Sequence, residues 1–348
     1  MSSAAESIGD EVNVVDTVVE VDDLTVTFEG REGGTAHAVD GVNLAMRKGE
    51  IIAMVGESGC GKTTLARTIL GLERPASGRV LSHGEKLQYS GRALKAYRKT
   101  VQLVLQDPTG SLNPRHSVYE AVAEGPRTHG MDDETGRVSR ALSMAGLRPP
   151  ERFYLRYPHE LSGGQRQRVV IAGALALDPD VIIADEPVSS LDASVRGEIL
   201  ALMLKLREDL GLTLLVVTHD LGLAWNIADR IVVMYLGRVV EQGPTEEVLN
   251  NPQHPYTRAL LSVVPEMHGT EQIVLSGEIP DPTKIPSGCR FHPRCQEVRD
   301  GVAEKAGVLK ACQSISPAIL SAQIPIGEAE LGHDAACHLV TPPPAPLA

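Results

Sequence analysis

The residues with the clearest chemistry are Gly56-Glu57-Ser58-Gly59-Cys60-Gly61-Lys62-Thr63-Thr64, which fit the spacing G-x-x-x-x-G-K-(S/T) and follow the apolar run Ile51 to Val55. Glycines at this spacing let a loop curl until its N–H groups converge on a polyphosphate. The helix that starts near Lys62 adds a positive dipole end. Lys62 supplies a point charge for the outer phosphates, and Thr63 aims a hydroxyl at the magnesium that travels with a nucleotide. A glycine-rich turn with a solvated lysine would explain the glycines alone, but not the strand before them and the helical pattern after them.

Other polar residues stand where apolar runs end. Asp185-Glu186 follows Val181 to Ala184, Gln106 follows Val101 to Leu105, and His219 follows Leu214 to Thr218. One carboxylate there can hold magnesium through its waters, and the next can polarise a water in line with the terminal phosphate. As helix-capping acids the pair would do neither. Gln106 is placed to sense the metal or the water, and His219 to touch the outermost phosphate. Ser162-Gly163-Gly164-Gln165 is a second anion-binding turn, with Ser162 as N-cap and two glycines exposing N–H groups. An ordinary capped helix explains the serine but not the paired glycines. Phe28 is an aromatic that either stacks on a base or fills the core, and the pattern leaves both open.

The elements that must position these groups follow from the same runs. Four apolar, β-rich segments each deliver polar groups at their carboxyl end, where ligands sit in an open parallel α/β sheet. Val19 to Phe28 and Ala38 to Met46 read as an antiparallel β layer ahead of the phosphate loop. A helix-rich insert spans about 107–175. After His219 come a helix (Leu221 to Ile227), a hairpin (Ile231 to Tyr235 with Arg238 to Glu241) and a helix from Tyr256 to Val263. The expected fold class is α/β: a P-loop core on a mostly parallel sheet, with an antiparallel β layer, the helical insert and a small cysteine-containing C-terminal extension. The expected division is a mobile tail at 1–18, a nucleotide-binding domain at 19–265 and an extension at 266–348 ending in the Pro-rich run Thr341 to Pro346.

With 348 residues and 42% hydrophobic composition the chain can bury a full core. A formal net charge of -12 argues against a nucleic-acid partner, which needs a basic face. No basic stretch followed by an apolar one opens the chain, and no apolar run approaches the ~20 residues that span a bilayer, so membrane work is expected to pass through a partner. The five cysteines read as thiols or metal ligands rather than disulfides, and Cys60 as a small residue in the phosphate loop.

In their order, these motifs resemble the ATP-binding subunits of ABC transporters: the loop Gly56 to Thr63, Gln106, Leu161-Ser162-Gly163-Gly164-Gln165, Asp185-Glu186, Ser190-Leu191-Asp192 and His219. Gln106-Asp107-Pro108, Tyr157-Pro158-His159-Glu160, His254-Pro255-Tyr256-Thr257, Gly288-Cys289 and Phe291 with Pro293-Arg294-Cys295 are similar to the oligopeptide/dipeptide importer branch. Leu105 stands where that family has an aromatic. The resemblance implies an ATPase for peptide import, with nickel or glutathione as other cargoes of the branch. A soluble ABC ATPase acting on nucleic acid or the ribosome is the alternative from another class. It implies that ATP and Mg2+ bind Phe28, the residues 56–64, Gln106 and Asp185. Ser162, Gly163, Gly164, Gln165 and Asp192 would complete the site of a second subunit, homologue or copy. Thr63, Gln106 and Asp185 would serve the magnesium, and Glu186, His219 and Gln106 the hydrolysis. Partners would be two transmembrane permeases and, through them, an extracytoplasmic substrate-binding protein, with the chain peripheral on the cytoplasmic face of the membrane. Spacing alone leaves Cys289, Cys295, Cys312 and Cys337 open between core thiols and metal ligands. The resemblance adds a 4Fe-4S iron–sulfur cluster on these four, with zinc as the alternative.

Overall fold

Fully apolar runs need cover on both faces, and they form the centre of the molecule. The computed structural model describes residues 16–30, 33–189, 191–264, 272–319 and 332–340. Along the chain come β1 (Thr17–Glu29), β2 (Thr35–Arg47), β3 (Ile51–Val55), α1 (Lys62–Ile69), β4 (Ser77–Ser82), β5 (Glu85–Lys86), α2 (Gly91–Thr100) and β6 (Val101–Val104). The helical insert holds α3 (Pro108–Ser111), α4 (Val118–His129), α5 (Glu134–Met144) and α6 (Gly163–Leu175). Then follow β7 (Val181–Asp185), α7 (Ala193–Leu210), β8 (Thr213–Val217), α8 (Leu221–Ile227), β9 (Arg230–Tyr235), β10 (Arg238–Pro244), α9 (Thr245–Asn250) and α10 (Pro255–Leu261). The extension adds α11 (Gln296–Arg299), α12 (Val302–Lys305), α13 (Leu309–Ser314) and β11 (Asp334–Ala335).

The main sheet has the order β11-β10-β9-β3-β8-β7-β6. From β9 to β6 every neighbouring pair is parallel, whereas β10 and β11 join antiparallel at one edge. Successive residues of β3 serve different clusters because side chains alternate across a strand. Ile51 packs towards the helical insert, with Val122, Leu142 and Ile171 in the same cluster. Ile52 and Met54 pack with Val21, Leu44 and Leu65, under the antiparallel sheet β2-β1-β4-β5. Ala53 and Val55 pack with Tyr235, Tyr256, Phe291 and Cys295.

That last cluster joins residues from both sides of the expected boundary at 266. Phe291 and Cys295 of the extension share a core with the phosphate-loop strand, and β11 pairs with β10 through Glu241–Ala335 and Gln242–Asp334. Further along the extension Ala303, Val308 and Cys312 form a small buried cluster of their own. Residues 1–15 of the expected tail and the Pro-rich run at 341–348 lie outside the described residues, while Thr17 and the buried Val18 already belong to β1.

Candidate nucleotide site

The phosphate loop leaves β3 and enters α1 through glycines that no other residue could replace in place. A Cβ on Gly56 (φ +150) would lie 2.3 Å from the Met234 carbonyl oxygen, and one on Gly61 (φ +108) 2.1 Å from that of Ala38. Gly61 is a left-handed N-cap with no side-chain capping bond, so the first N–H groups of α1 remain available. Lys62 is buried and folded back: its Nζ donates to the Gly56 carbonyl at 2.7 Å and the Glu57 carbonyl at 2.9 Å, with Cys60 Sγ 3.7 Å away. Cys60 is buried in the core below, where burial pushes its thiol up. Ser58 and Gly59 are exposed at the tip of the loop, and the Thr64 carbonyl accepts from the Thr68 hydroxyl at 2.8 Å.

The strand ends converge as the runs imply. Thr63 Oγ1 lies 3.5 Å from Asp185 Oδ1, and burial pushes the Asp185 carboxyl up from its ordinary value, partly offset by that hydrogen bond. Glu186 accepts from Gln106 Nε2 at 2.9 Å, and His219 Nδ1 stands 2.9 Å from its other oxygen. Its backbone is left-handed (φ +47), a strained position for a residue with a Cβ, and its N–H donates to the Val217 carbonyl at 2.8 Å. Gln106 therefore faces Glu186 rather than the Thr63–Asp185 pair. Thr63 and Asp185 supply oxygen donors of the kind magnesium takes. Phe28 sits near the end of β1 opposite Ala36 and is 43% exposed, a free face rather than core filling.

The Ser162 turn is not part of this group. Ser162 caps α6 by accepting from the Gln165 N–H at 3.2 Å, while Gln165 Oε1 accepts from the Ser162 N–H at 3.1 Å. Among the described residues it makes no hydrogen bond to the phosphate loop, and α6 packs on α3, α4, α5 and β6. Gly163 and Gly164 open the helix, and Asp192 is the exposed N-cap of α7 with no side-chain capping bond. Ser190 lies outside the described residues.

Residues 39–189 match the family model described as ABC transporter, and residues 240–301 match the oligopeptide/dipeptide transporter C-terminal region. The oligopeptide transport ATP-binding protein AppF of Bacillus subtilis (strain 168) is 42% identical over 93% of this chain and 98% of its own length. This chain belongs to the ATP-binding subunits of ABC transporters. The dipeptide transport ATP-binding protein DppF of Escherichia coli (strain K12) is 44% identical, covering 80% of this chain and 87% of that protein. Among solved structures, cbiO1 from Clostridium perfringens, part of the ABC transporter complex cbiONQ, superposes with a TM-score of 0.61 at 34% identity over 68% of this chain and 92% of the other. A dimeric ATP-binding cassette in a post-hydrolysis state bound to ADP and Pi gives 0.58 at 33% identity, over 65% of this chain and 98% of that one. As an ABC ATPase this subunit takes ATP with Mg2+ and hydrolyses it.

Two residues in contact with the phosphate loop had no role in the sequence reading. Tyr256 Oη accepts from the Glu57 N–H at 2.8 Å, and Arg294 grips the Glu57 carboxylate at 2.7 and 3.0 Å. The available clue was Glu57 itself, because an acid inside a loop that receives phosphates needs a cation nearby.

All five cysteines are free. Burial pushes the Cys289 thiol up to about 12 and Cys295 up to about 11, and raises Cys312 and Cys337 as well. Cys337, Cys295 and Cys312 add to the rise at Cys289, whose N–H donates to the Cys312 carbonyl at 2.9 Å. Among the described residues, however, no three His, Cys, Asp or Glu side chains form a group that could hold a metal ion. The described residues therefore show no single-ion site of the kind expected for zinc and give no direct support to the iron–sulfur set. For zinc the mismatch is direct, since four sulfurs about 2.3 Å from one ion must nearly touch.

Proposed function

We propose that this ABC ATPase energises the import of di- and oligopeptides across the cytoplasmic membrane. The observation that carries the hydrolytic part is Glu186, held by Gln106 on one side and His219 on the other, at the end of a strand beside Lys62 and Thr63. In this reading Glu186 polarises the attacking water, and His219 orients that carboxylate and meets the outermost phosphate. Lys62 exchanges the Gly56 and Glu57 carbonyls for phosphate oxygens. Thr63 and Asp185 hold the magnesium, which neutralises phosphate charge when bound. The exposed ring of Phe28 supplies a stacking face for the base. Ser162, Gly163, Gly164, Gln165 and Asp192 complete the site of a second ATPase subunit: the Gly163 and Gly164 N–H groups, left over from the Ser162–Gln165 box, have no phosphate of their own to meet.

Support for peptides as cargo comes from the match of residues 240–301 and from the names of relatives such as AppF and DppF. The implied partners are two permeases and a substrate-binding protein reached through them. No helix among the described residues is long and apolar enough to cross a membrane. The test is to purify the complex in detergent, reconstitute it and measure ATP turnover with peptide-loaded binding protein. Turnover and peptide uptake should rise together; an ATPase that runs alone, with no permeases accompanying it, would sink the assignment. For the extension, Cys289, Cys295, Cys312 and Cys337 are the residues that would hold a 4Fe-4S cluster, whose thiolates stand further apart than those around a single ion; the Cys289 N–H donates to the Cys312 carbonyl at 2.9 Å. Such a group would brace the extension, and its thiols must lose their protons to bind it. Anaerobically purified subunit should be brown and carry about four irons per chain. A colourless, iron-free preparation removes the cluster.

A further inference from the structure

Glu57 places a formal negative charge in the loop that must receive a polyphosphate. Every polar group of this residue is engaged. Its N–H donates to Tyr256 Oη at 2.8 Å, its carbonyl accepts from Lys62 at 2.9 Å, and its two carboxylate oxygens accept from Arg294 Nη1 at 2.7 Å and Nη2 at 3.0 Å. The fork-on-fork geometry with a guanidinium is the strong form of an ion pair, and Arg294 is only 5% exposed.

The other end of the strut is equally fixed. Arg294 Nη1 lies 3.4 Å from Tyr235 Oη, and its guanidinium stands 5.8 Å from the centre of that ring. Tyr235, Tyr256 and Phe291 pack edge-on and tilted with centroids 4.8 to 5.3 Å apart. Arg294 itself ends a short turn between the buried Phe291 and Cys295. A neighbouring contact runs the same way: Arg290 donates to the Leu236 carbonyl, and the Gly237 N–H donates to the Cys60 carbonyl at 2.8 Å.

We infer that Arg294 is a positioning residue of the nucleotide site: it neutralises Glu57 and anchors the phosphate loop, so the C-terminal extension belongs to the ATP-binding apparatus. With the guanidinium gone, an unpaired carboxylate meets the incoming phosphates as a like charge, and the loop loses its only bidentate anchor among the described residues. The inference rests on residues 56–63 being the nucleotide site, and the test separates the two.

Binding of Mg–ATP to the full-length subunit is measured by calorimetry for Arg294→Gln, Glu57→Gln, the double variant and Lys62→Ala. Arg294→Gln should weaken ATP about tenfold when position 57 keeps its glutamate, the scale of a hydrogen bond to a charged group. In the Glu57→Gln background the same change should cost less than about twofold, a rescue that general damage to folding would not produce. If Lys62→Ala abolishes binding while Arg294→Gln matches the parent, the inference fails and the site stands. If Lys62→Ala still binds ATP normally, the site reading itself fails. If the double variant is as weak as Arg294→Gln alone, Arg294 acts through something other than Glu57 and the inference is overturned. Should Arg294→Gln not fold, Arg294→Lys read in both backgrounds tests the same coupling, because a lysine keeps the charge but not the fork.

Discussion

Two glycine-rich helix starts in this chain suit the same anion, yet they are finished differently. At α1 the cap is Gly61 in the left-handed region, with no side chain closing the turn and Lys62 buried against loop carbonyls. At α6 Ser162 and Gln165 close a reciprocal box that satisfies one N–H each, leaving the N–H groups of the two glycines. The first start is incomplete until phosphate arrives. The second is stable by itself, which suits the proposed role of meeting a phosphate carried by another molecule. The chemistry is unequal too: Asp185, Glu186, Gln106 and His219 gather on the α1 side, while α6 sits on the helical insert.

The sharpest way to break this contrast is Glu186→Gln. If the α1 side owns the hydrolysis, turnover falls by about a hundredfold or more, the scale of a lost general base, while ATP still binds. Single-turnover ATP cleavage in the assembled transporter measures it, and undiminished cleavage would put the wrong carboxylate at the centre. Ser162→Arg probes the other side. Turnover of the complex should fall at least about tenfold, because a bulky cation displaces the hydroxyl from its partner's phosphate, whereas ATP affinity of the isolated subunit should stay within about twofold. A large affinity loss in the monomer would mean that both starts serve one nucleotide within one chain.

The α1 side was legible in the sequence for a physical reason. A strand buried on both faces must be apolar throughout, so β3, β7 and β8 stand out as unbroken runs, and the first polar residue after each marks the ligand edge. The start of α6 was legible through its cap, Ser162, whereas the capping box that Ser117 forms at α4 came to light only in the fold. The limits of β1 and β2 were less so: each runs 13 residues, and irregular pairing at several points breaks the alternation that would reveal its length. The Arg294–Glu57 pair joins residues 237 positions apart, and β11 is two residues long. Such contacts exist only once the core around Phe291 has formed, so no local pattern announces them. The cysteines were visible as a set, but spacing carries no distances, and the folded extension does not gather them as an ion site.

The smallest expected effect separates the two starts by pH. His254 is buried beneath the α1 side, where its Nδ1 accepts the Tyr256 N–H at 3.1 Å and so caps the helix whose tyrosine holds Glu57. Accepting requires a neutral ring, and burial lowers its pKa from 6.5 to about 4. A folded value below the unfolded one means that the unfolded chain takes up the proton first. The contribution is therefore whole above the unfolded value and drains as pH falls through 6.5 towards about 4. The melting temperature should drop by about 4 °C between about pH 7 and about pH 5 on this account, while ATP affinity should hold until the pH nears the folded value of about 4, where the cap on Tyr256 is lost. His254→Asn keeps a capping oxygen that does not titrate, so it should flatten that part of the slope. An unchanged slope in His254→Asn would mean that acid reaches the phosphate loop by another route, and that the α1 side does not depend on this cap.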